Sequence, residues 1–418
     1  MAAVTLVHAP GSGIRLAALP PLALYVHVPW CVSKCPYCDF NSHELSARQS
    51  LPRPAPEAGR GADAIPEDLE GRYVEALIRD LECSLPDIWG RRVHGIFFGG
   101  GTPSLLAARS VDALLSAFRA RLQLTPDCEV TLEANPGTFE TGKFRDFRAA
   151  GVNRLSIGIQ SFNAGHLRAL GRIHDNGEAR RAVEMAMGHF ENVNLDLMYA
   201  LPGQSLAQSQ ADCTEAIAFG TRHLSFYQLT IEPNTLFHRH PPRLPDDDLA
   251  AEMQSSIEAA VSAAGYVHYE TSAYAKPGQE CRHNLNYWRF GDYLGIGAGA
   301  HSKLSFSDRV TRSARYKQPK EYLQRVSEGT PLQESGNVGR EDLAFEFMLN
   351  ALRLAGGFPV ALFAERTGMP ITAAEKPLAQ AEARGLIQRD HQRIRPTDLG
   401  RRFLNDLLQL FLPEAKGR

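Results

Sequence analysis

Cys31, Cys35 and Cys38 stand at the spacing CxxxCxxC, directly after an apolar run. Thiolates are soft, strongly donating ligands, and three so close in sequence can converge on one metal centre. A cubane iron–sulfur cluster normally takes four cysteines, one per iron. Three would leave one iron open, and an open metal position is where a bound molecule can react, as it does at catalytic zinc. A structural zinc is the competing reading, with His27 or His43 as its fourth ligand. The remaining cysteines, Cys83, Cys128, Cys213 and Cys281, are scattered, and most read as small buried hydrophobes.

Two other features could do chemistry. Gly99, Gly100, Gly101 and Thr102 make a glycine-rich turn, whose missing side chains let backbone amides approach a charged ligand. Glu133 closes an apolar run, where a carboxylate is costly to bury without a partner. The sextet His-Asn-Leu-Asn-Tyr-Trp at 283–288, taken by itself, reads as a buried histidine in a polar turn with Tyr287 and Trp288 in the core.

The elements that must carry these residues follow from periodicity. Strand-like runs at 22–30, 93–98, 129–133, 154–160, 193–198 and 224–230 alternate with amphipathic stretches at 69–85, 111–122, 143–150, 178–189 and 205–219. That alternation predicts a parallel sheet with helices outside it, in too few strands to close an eight-stranded barrel. Functional side chains of parallel barrels gather at the C-terminal strand ends. Cys31, Gly99, Glu133, Gln160 and Asp196 each fall at or close to such an end, so the strand pattern alone predicts one shared rim.

A segment rich in Pro, Ala, Gly and Arg at 44–66 reads as a surface insertion after the cysteine loop. From residue 335 the pattern becomes helix, short hairpin, helix, which predicts a small winged-helix-like module. Its twelve Lys/Arg against ten Asp/Glu are too balanced for a phosphate footprint. A net charge of −2 likewise gives no case for nucleic acid or anionic membrane. No apolar run nears the roughly 18 residues of a membrane span. Residues 1–20 lack the basic start of a secretory leader. Thiols that must stay reduced suit the cytoplasm.

The cysteine spacing, with Tyr37 beside the third cysteine, is followed in order by five further segments. They are Gly-Gly-Gly-Thr-Pro at 99–103, Glu-Ala-Asn-Pro at 133–136, Ser-Ile-Gly-Ile-Gln-Ser-Phe at 156–162, Gly-Arg-Ile-His at 171–174 and Asn-Leu-Asp-Leu-Met at 194–198. This ordered set resembles the radical S-adenosylmethionine (SAM) superfamily. It is most similar to the branch containing the oxygen-independent coproporphyrinogen III oxidase HemN and its relative HemW, a heme chaperone. The resemblance runs from about residue 22 to the C-terminus.

It implies an α/β fold: a partial (β/α)6 barrel, open at the side, over residues 22–240 after an N-terminal extension at 1–21. A further extension at 241–334 and a winged-helix-like α/β domain at 335–418 complete the expected organisation. The resemblance implies a [4Fe-4S] cluster on Cys31, Cys35 and Cys38, with SAM chelating the open iron. Expected SAM contacts are Tyr25, Tyr37, Gly100, Gly101, Thr102, Glu133, Gln160, Arg172 and Asp196. In the superfamily, an electron donated through the cluster cleaves the sulfonium to a 5′-deoxyadenosyl radical.

Within the branch, residues 283–288 look like the HNxxYW signature of HemW, which makes His283 the expected axial ligand to heme. Tyr287 and Trp288 would then wall the macrocycle. HemN proteins carry a further cysteine two residues after the third cluster cysteine; here Phe40 stands there, in the Cys-Asp-Phe of HemW proteins. The expected function is therefore a heme chaperone that passes heme to acceptor proteins, with an electron donor as a second partner. The alternative is radical-SAM decarboxylation of coproporphyrinogen III. The pattern allows a homodimer without requiring one.

Overall fold

The computed structural model describes residues 14–45, 64–137 and 142–413. Most of the insertion expected at 44–66 lies outside the described residues.

Six strands form as the periodicity predicts: β1 (Leu22–Val28), β2 (Arg92–Gly100), β3 (Gln123–Ala134), β4 (Arg154–Gln160), β5 (Val193–Tyr199) and β6 (His223–Gln228). They pair in parallel in chain order. Strands covered on both faces need nearly continuous apolar sequence, and β1 and β4 are buried along almost their whole length. Helices α1 (Glu67–Ile88), α2 (Ala108–Arg121), α3 (Lys143–Ala150), α4 (Asn176–His189) and α5 (Leu206–Ala218) make the crossovers. Capping boxes start two of them: Asp175 with Glu178 at α4, and Ser205 with Gln208 at α5. Leu77, Leu81, Phe118 and Phe147, from the helices, and Val26, Phe98 and Ile157, from the strands, share one core.

The sheet is larger than six strands. After α6 (Asp247–Ala263), β7 (Val267–Glu270) and β8 (Ala273–Ala275) extend it antiparallel beyond β6. Helix α7 (Arg282–Trp288) then leads into β9 (Asp292–Ile296), which pairs with β1 in parallel and so makes a seventh parallel strand. Strands β10 (His301–Ser305), β11 (Val310–Arg315) and β12 (Leu332–Asn337) continue antiparallel, giving twelve in all. The extension therefore thickens both edges of the barrel sheet.

Buried charge fixes the added edge. Asp292 takes Lys303 Nζ at 2.9 Å and Arg91 Nη1 at 2.8 Å, and Asp80 on α1 takes Arg315 Nη2 at 3.2 Å. Pairs like these contribute little net stability but are costly to break singly, so they specify how the edge docks.

The C-terminal residues make a helix, Arg340–Ala351, then Val360–Thr367 and Glu375–Ala383, with a three-stranded sheet closed by the hairpin Ile387–Arg389 and Arg393–Pro396. Phe347, Phe358 and Phe363 centre its core, which also takes in Ile14 and Leu16 from the N-terminal segment and Phe290 and Val310 from the barrel's extension.

Candidate functional site

Strand β1 stops at Val28, and Pro29 turns the chain so that Trp30 and Cys31 pair with His43 and Glu44. This short ladder closes the cysteine loop at its base. Within the loop each thiol meets a donor or hydroxyl: Thr102 Oγ1 lies 3.5 Å from Cys31 Sγ, Arg172 Nη1 3.6 Å from Cys35 Sγ, and Ser42 Oγ 3.8 Å from Cys38 Sγ. Burial pushes the Cys31 and Cys38 thiols up. Asn41 ties the loop to the far edge, its Nδ2 donating to the Ala298 and Lys317 carbonyls at 2.9 Å each.

His27 is no free fourth ligand for zinc. Its Nδ1 lies 3.0 Å from Tyr25 Oη and its Nε2 2.9 Å from the Asn41 carbonyl. Among the described residues no three His, Cys, Asp or Glu side chains are grouped as ligands of a single ion. Thiols spaced along one loop and backed by hydrogen-bond donors fit a multi-iron cluster, whose potential such donors tune.

The glycine turn behaves differently from its expectation. Its amides are used internally: Gly100 N donates to Glu133 Oε2 at 3.3 Å, Gly101 N to the Val28 carbonyl and Thr102 N to the Trp30 carbonyl at 2.7 Å each. Glycine is required here for close approach. Gly100 has φ +115°, and a Cβ on it would fall 2.6 Å from the His27 ring. The turn thus seats the cysteine loop against β2.

The other rim residues come together as the strand ends predict. Asp196 is near enough to Glu133 to raise the cost of its charge. Burial first, then Asp196, pushes the Glu133 carboxyl up to about 8. Asp196 accepts from Ser156 Oγ at 2.7 Å and Asn194 Nδ2 at 2.9 Å. Gln160 sits at the end of β4 with φ +66°. Tyr37 packs against Phe237, ring centroids 6.3 Å apart. Tyr25 is flanked by Phe97 at 6.2 Å. Arg172 donates through Nη2 to Asn135 Oδ1 at 2.6 Å and to the Gly158 carbonyl at 2.9 Å, while its Nε is buried without a partner. An orphaned guanidinium nitrogen beside the thiols, with two acidic side chains across the mouth, suits a ligand carrying both carboxylate and cationic groups. SAM is such a ligand.

His283, at the start of α7, lies against the inner face of β1 and β2. Its ring stacks on Phe97 at 4.5 Å and faces Tyr25 at 6.3 Å. Burial, then the charge of Arg154, pulls its pKa down to about 4, and its Nδ1 is buried with no partner. Tyr287 and Trp288 do not form the expected open wall. Tyr287 packs at a tilt against Tyr293 of β9, ring centroids 5.3 Å apart, and the Arg353 guanidinium covers Trp288 at 5.3 Å. Both rings anchor the helix.

The sequence reading passed over Asn135, Ser42, Asn41 and Arg154. Asn135 links the two ends of the loop: Arg172 on one side, and Thr102 Oγ1, to which its Nδ2 donates at 3.1 Å, on the other. Its place in the Glu-Ala-Asn-Pro segment was the available signal.

Comparison with known proteins places this geometry. A family model described as the radical SAM superfamily matches residues 25–211, and one described as the HemN C-terminal domain matches residues 338–403. The chain is 46% identical over 401 residues, 96% of its own length and all of the relative's, to the heme chaperone HemW of Escherichia coli. Identity to the Bacillus subtilis heme chaperone HemW is 31%, over 93% of this chain and 99% of that one. The solved structure of the E. coli coproporphyrinogen III oxidase HemN superposes with a TM-score of 0.76 at 22% identity, covering 94% of this chain and 90% of that one, which shows a shared fold.

Proposed function

The chain belongs to the HemW family within the radical SAM superfamily, and on that premise we propose how it serves as a heme chaperone: His283 ligates the heme iron, and the protein hands the heme to acceptor proteins. Family membership implies a [4Fe-4S] cluster and SAM. Cys31, Cys35 and Cys38 would hold the cluster, which supplies an electron to SAM when loaded. Arg172 would meet the SAM carboxylate, and Glu133 and Asp196 its cationic groups. Tyr25, Tyr37, Gln160 and the Gly100–Gly101–Thr102 turn would shape the same pocket.

The observation that carries the heme reading is the state of His283. An imidazole held neutral down to about pH 4, with Nδ1 unpartnered against the barrel's inner face, is ready to donate to iron. Phe40 supports chaperoning over decarboxylation: the side chain is 63% exposed and offers neither a metal ligand nor a thiol hydrogen atom. Among the described residues no helix is long and apolar enough to cross a membrane. We place the protein in the cytoplasm, where an electron donor can reduce the cluster and thiols persist.

Anaerobic heme titration of cluster-loaded protein, followed by Soret absorbance, tests the ligand. Saturable binding should weaken by on the order of a hundredfold in His283→Ala. Unchanged affinity in that variant would remove His283 from the iron. Turnover of coproporphyrinogen III with SAM and a reductant would replace the chaperone by the oxidase.

A further inference from the structure

The interior below the rim contains a row of polar side chains, each with one buried atom that no described residue satisfies. Tyr25 pairs in register with Phe97, Phe97 with Thr131, and Thr131 with Arg154. Direct register partners put their side chains on the same face of a sheet, here the one on which His283 stacks. Of the groups on this band, Thr131 Oγ1, Arg154 Nε and His283 Nδ1 are all buried without a hydrogen-bond partner.

Arg154 is the most telling. It is 2% exposed and is among the largest fully buried side chains. The acids around it are already engaged. Glu129 Oε1 accepts from Arg282 N at 3.0 Å and from Cys281 Sγ at 3.6 Å, and Asp196 accepts from Ser156 and Asn194. Glu129 and Asp196 act on Arg154 only as nearby charges. Those nearby charges offset the burial of the guanidinium, but its Nε–H still points at no acceptor. An orphan hydroxyl on the neighbouring strand makes the pair a natural cradle for a carboxylate.

The spacing selects the carboxylate. Adjacent strands lie about 4.8 Å apart, so Arg154, two strands from Phe97, is roughly 10 Å away across the face. A porphyrin reaches about that far from its iron to the carboxyl groups on its edge. We propose that Thr131 and Arg154 form a carboxylate subsite that takes a propionate of the heme whose iron is held by His283. This rests on the heme reading above and adds the group that orients the macrocycle.

The test compares heme with its dimethyl ester, in which both propionates are neutral, on cluster-loaded wild type, Arg154→Met, Arg154→Lys and His283→Ala. Wild type should prefer the free acid by on the order of tenfold, the value of one charge-assisted hydrogen bond. Arg154→Met should bring that ratio close to one, and Arg154→Lys should keep part of it. His283→Ala should weaken both porphyrins alike and leave the ratio standing. Equal affinity of wild type for acid and ester overturns the proposal without any variant. So does a ratio that survives Arg154→Met, the result expected if the orphan groups only hold water. An Arg154→Met chain that loses SAM affinity but keeps the ratio would assign Arg154 to SAM instead. Wild type that binds neither porphyrin would overturn the heme reading and this subsite with it.

Discussion

The cysteine loop and the His283 band belong to one barrel and engage their key groups differently. Around the loop, Thr102, Arg172 and Ser42 already address the three thiols, and Asn135 and Asn41 lock those contacts to the barrel. Along the band, His283, Thr131 and Arg154 leave buried polar atoms with no partner. Leaving such a group unpaired costs about 1–3 kcal/mol. A resident cofactor needs a seat fixed before it arrives. A cargo must be both held and surrendered, and groups that only the cargo satisfies tie the band's stability to loading. The loop side keeps an orphan of its own, Arg172 Nε, so the contrast lies in the thiols, which are addressed, against the His283 imidazole, which is not.

Removing a loop thiol should break the two apart most sharply. Cys35→Ala is expected to lose nearly all cluster iron in an iron assay, and SAM binding with it. Heme affinity should change by less than about twofold, the additive outcome for two sites that load independently. A comparable collapse of heme binding would show that the regions work as one.

Proton linkage separates them next. Glu133, raised to about 8, is largely protonated at pH 7, so the SAM side gains negative charge as pH rises. SAM affinity should therefore increase about tenfold between pH 7 and pH 9. His283, lowered to about 4, stays neutral throughout that range, and heme affinity should be flat from pH 9 down to about 6. Calorimetric titration at three pH values reads both.

Glu133→Gln sharpens the same contrast at lower amplitude. A carboxyl whose folded pKa lies above its unfolded value binds its proton more tightly in the folded chain. Its contribution is present below about 4.5 and is lost as pH rises through about 8. Near neutral pH the wild-type carboxyl is thus a stability cost, which the amide removes. Protein lacking SAM should melt about 3 °C higher in Glu133→Gln, by calorimetry at pH 8. SAM should bind more weakly in the same variant, and heme as before.

The loop side of this comparison was far more legible in the sequence than the band. Cys31, Cys35, Cys38, Gly99 and Glu133 announce themselves by spacing and by their positions at strand ends. Asn135 sat inside a segment already noted but gave no sign of reaching both Thr102 and Arg172, because that depends on how three loops meet. Thr131 and Arg154 carried less signal still. Arg154 begins a strand, where a charged residue normally reads as solvated. Only the register between β2, β3 and β4 reveals that it faces inward beside Thr131. The seventh parallel strand was hidden for a related reason: β9 lies far along the chain after β8, and adjacency to β1 is a property of closure rather than of periodicity. The glycine turn was visible by its spacing, but that its amides serve Val28, Trp30 and Glu133 depends on where those groups lie in space.

The smallest expected effect asks whether the loop's hydrogen bonds only hold shape. Asn135 orients two donors that reach the thiols: Thr102 toward Cys31 and Arg172 toward Cys35. Hydrogen bonds to cluster sulfurs withdraw electron density and raise the reduction potential. Asn135→Ala frees both donors to rotate away, so the potential should fall, by on the order of tens of millivolts. A redox titration of the loaded protein followed by electron paramagnetic resonance measures this directly. Full iron content with a lowered potential would make Asn135 a positioning residue for the electron-transfer step. Full iron content at an unshifted potential would reduce its role to packing, and the loop's preorganisation would then rest on the short ladder at its base. The heme-acid preference should be untouched either way, because Thr131 and Arg154 take no part in that chain of bonds.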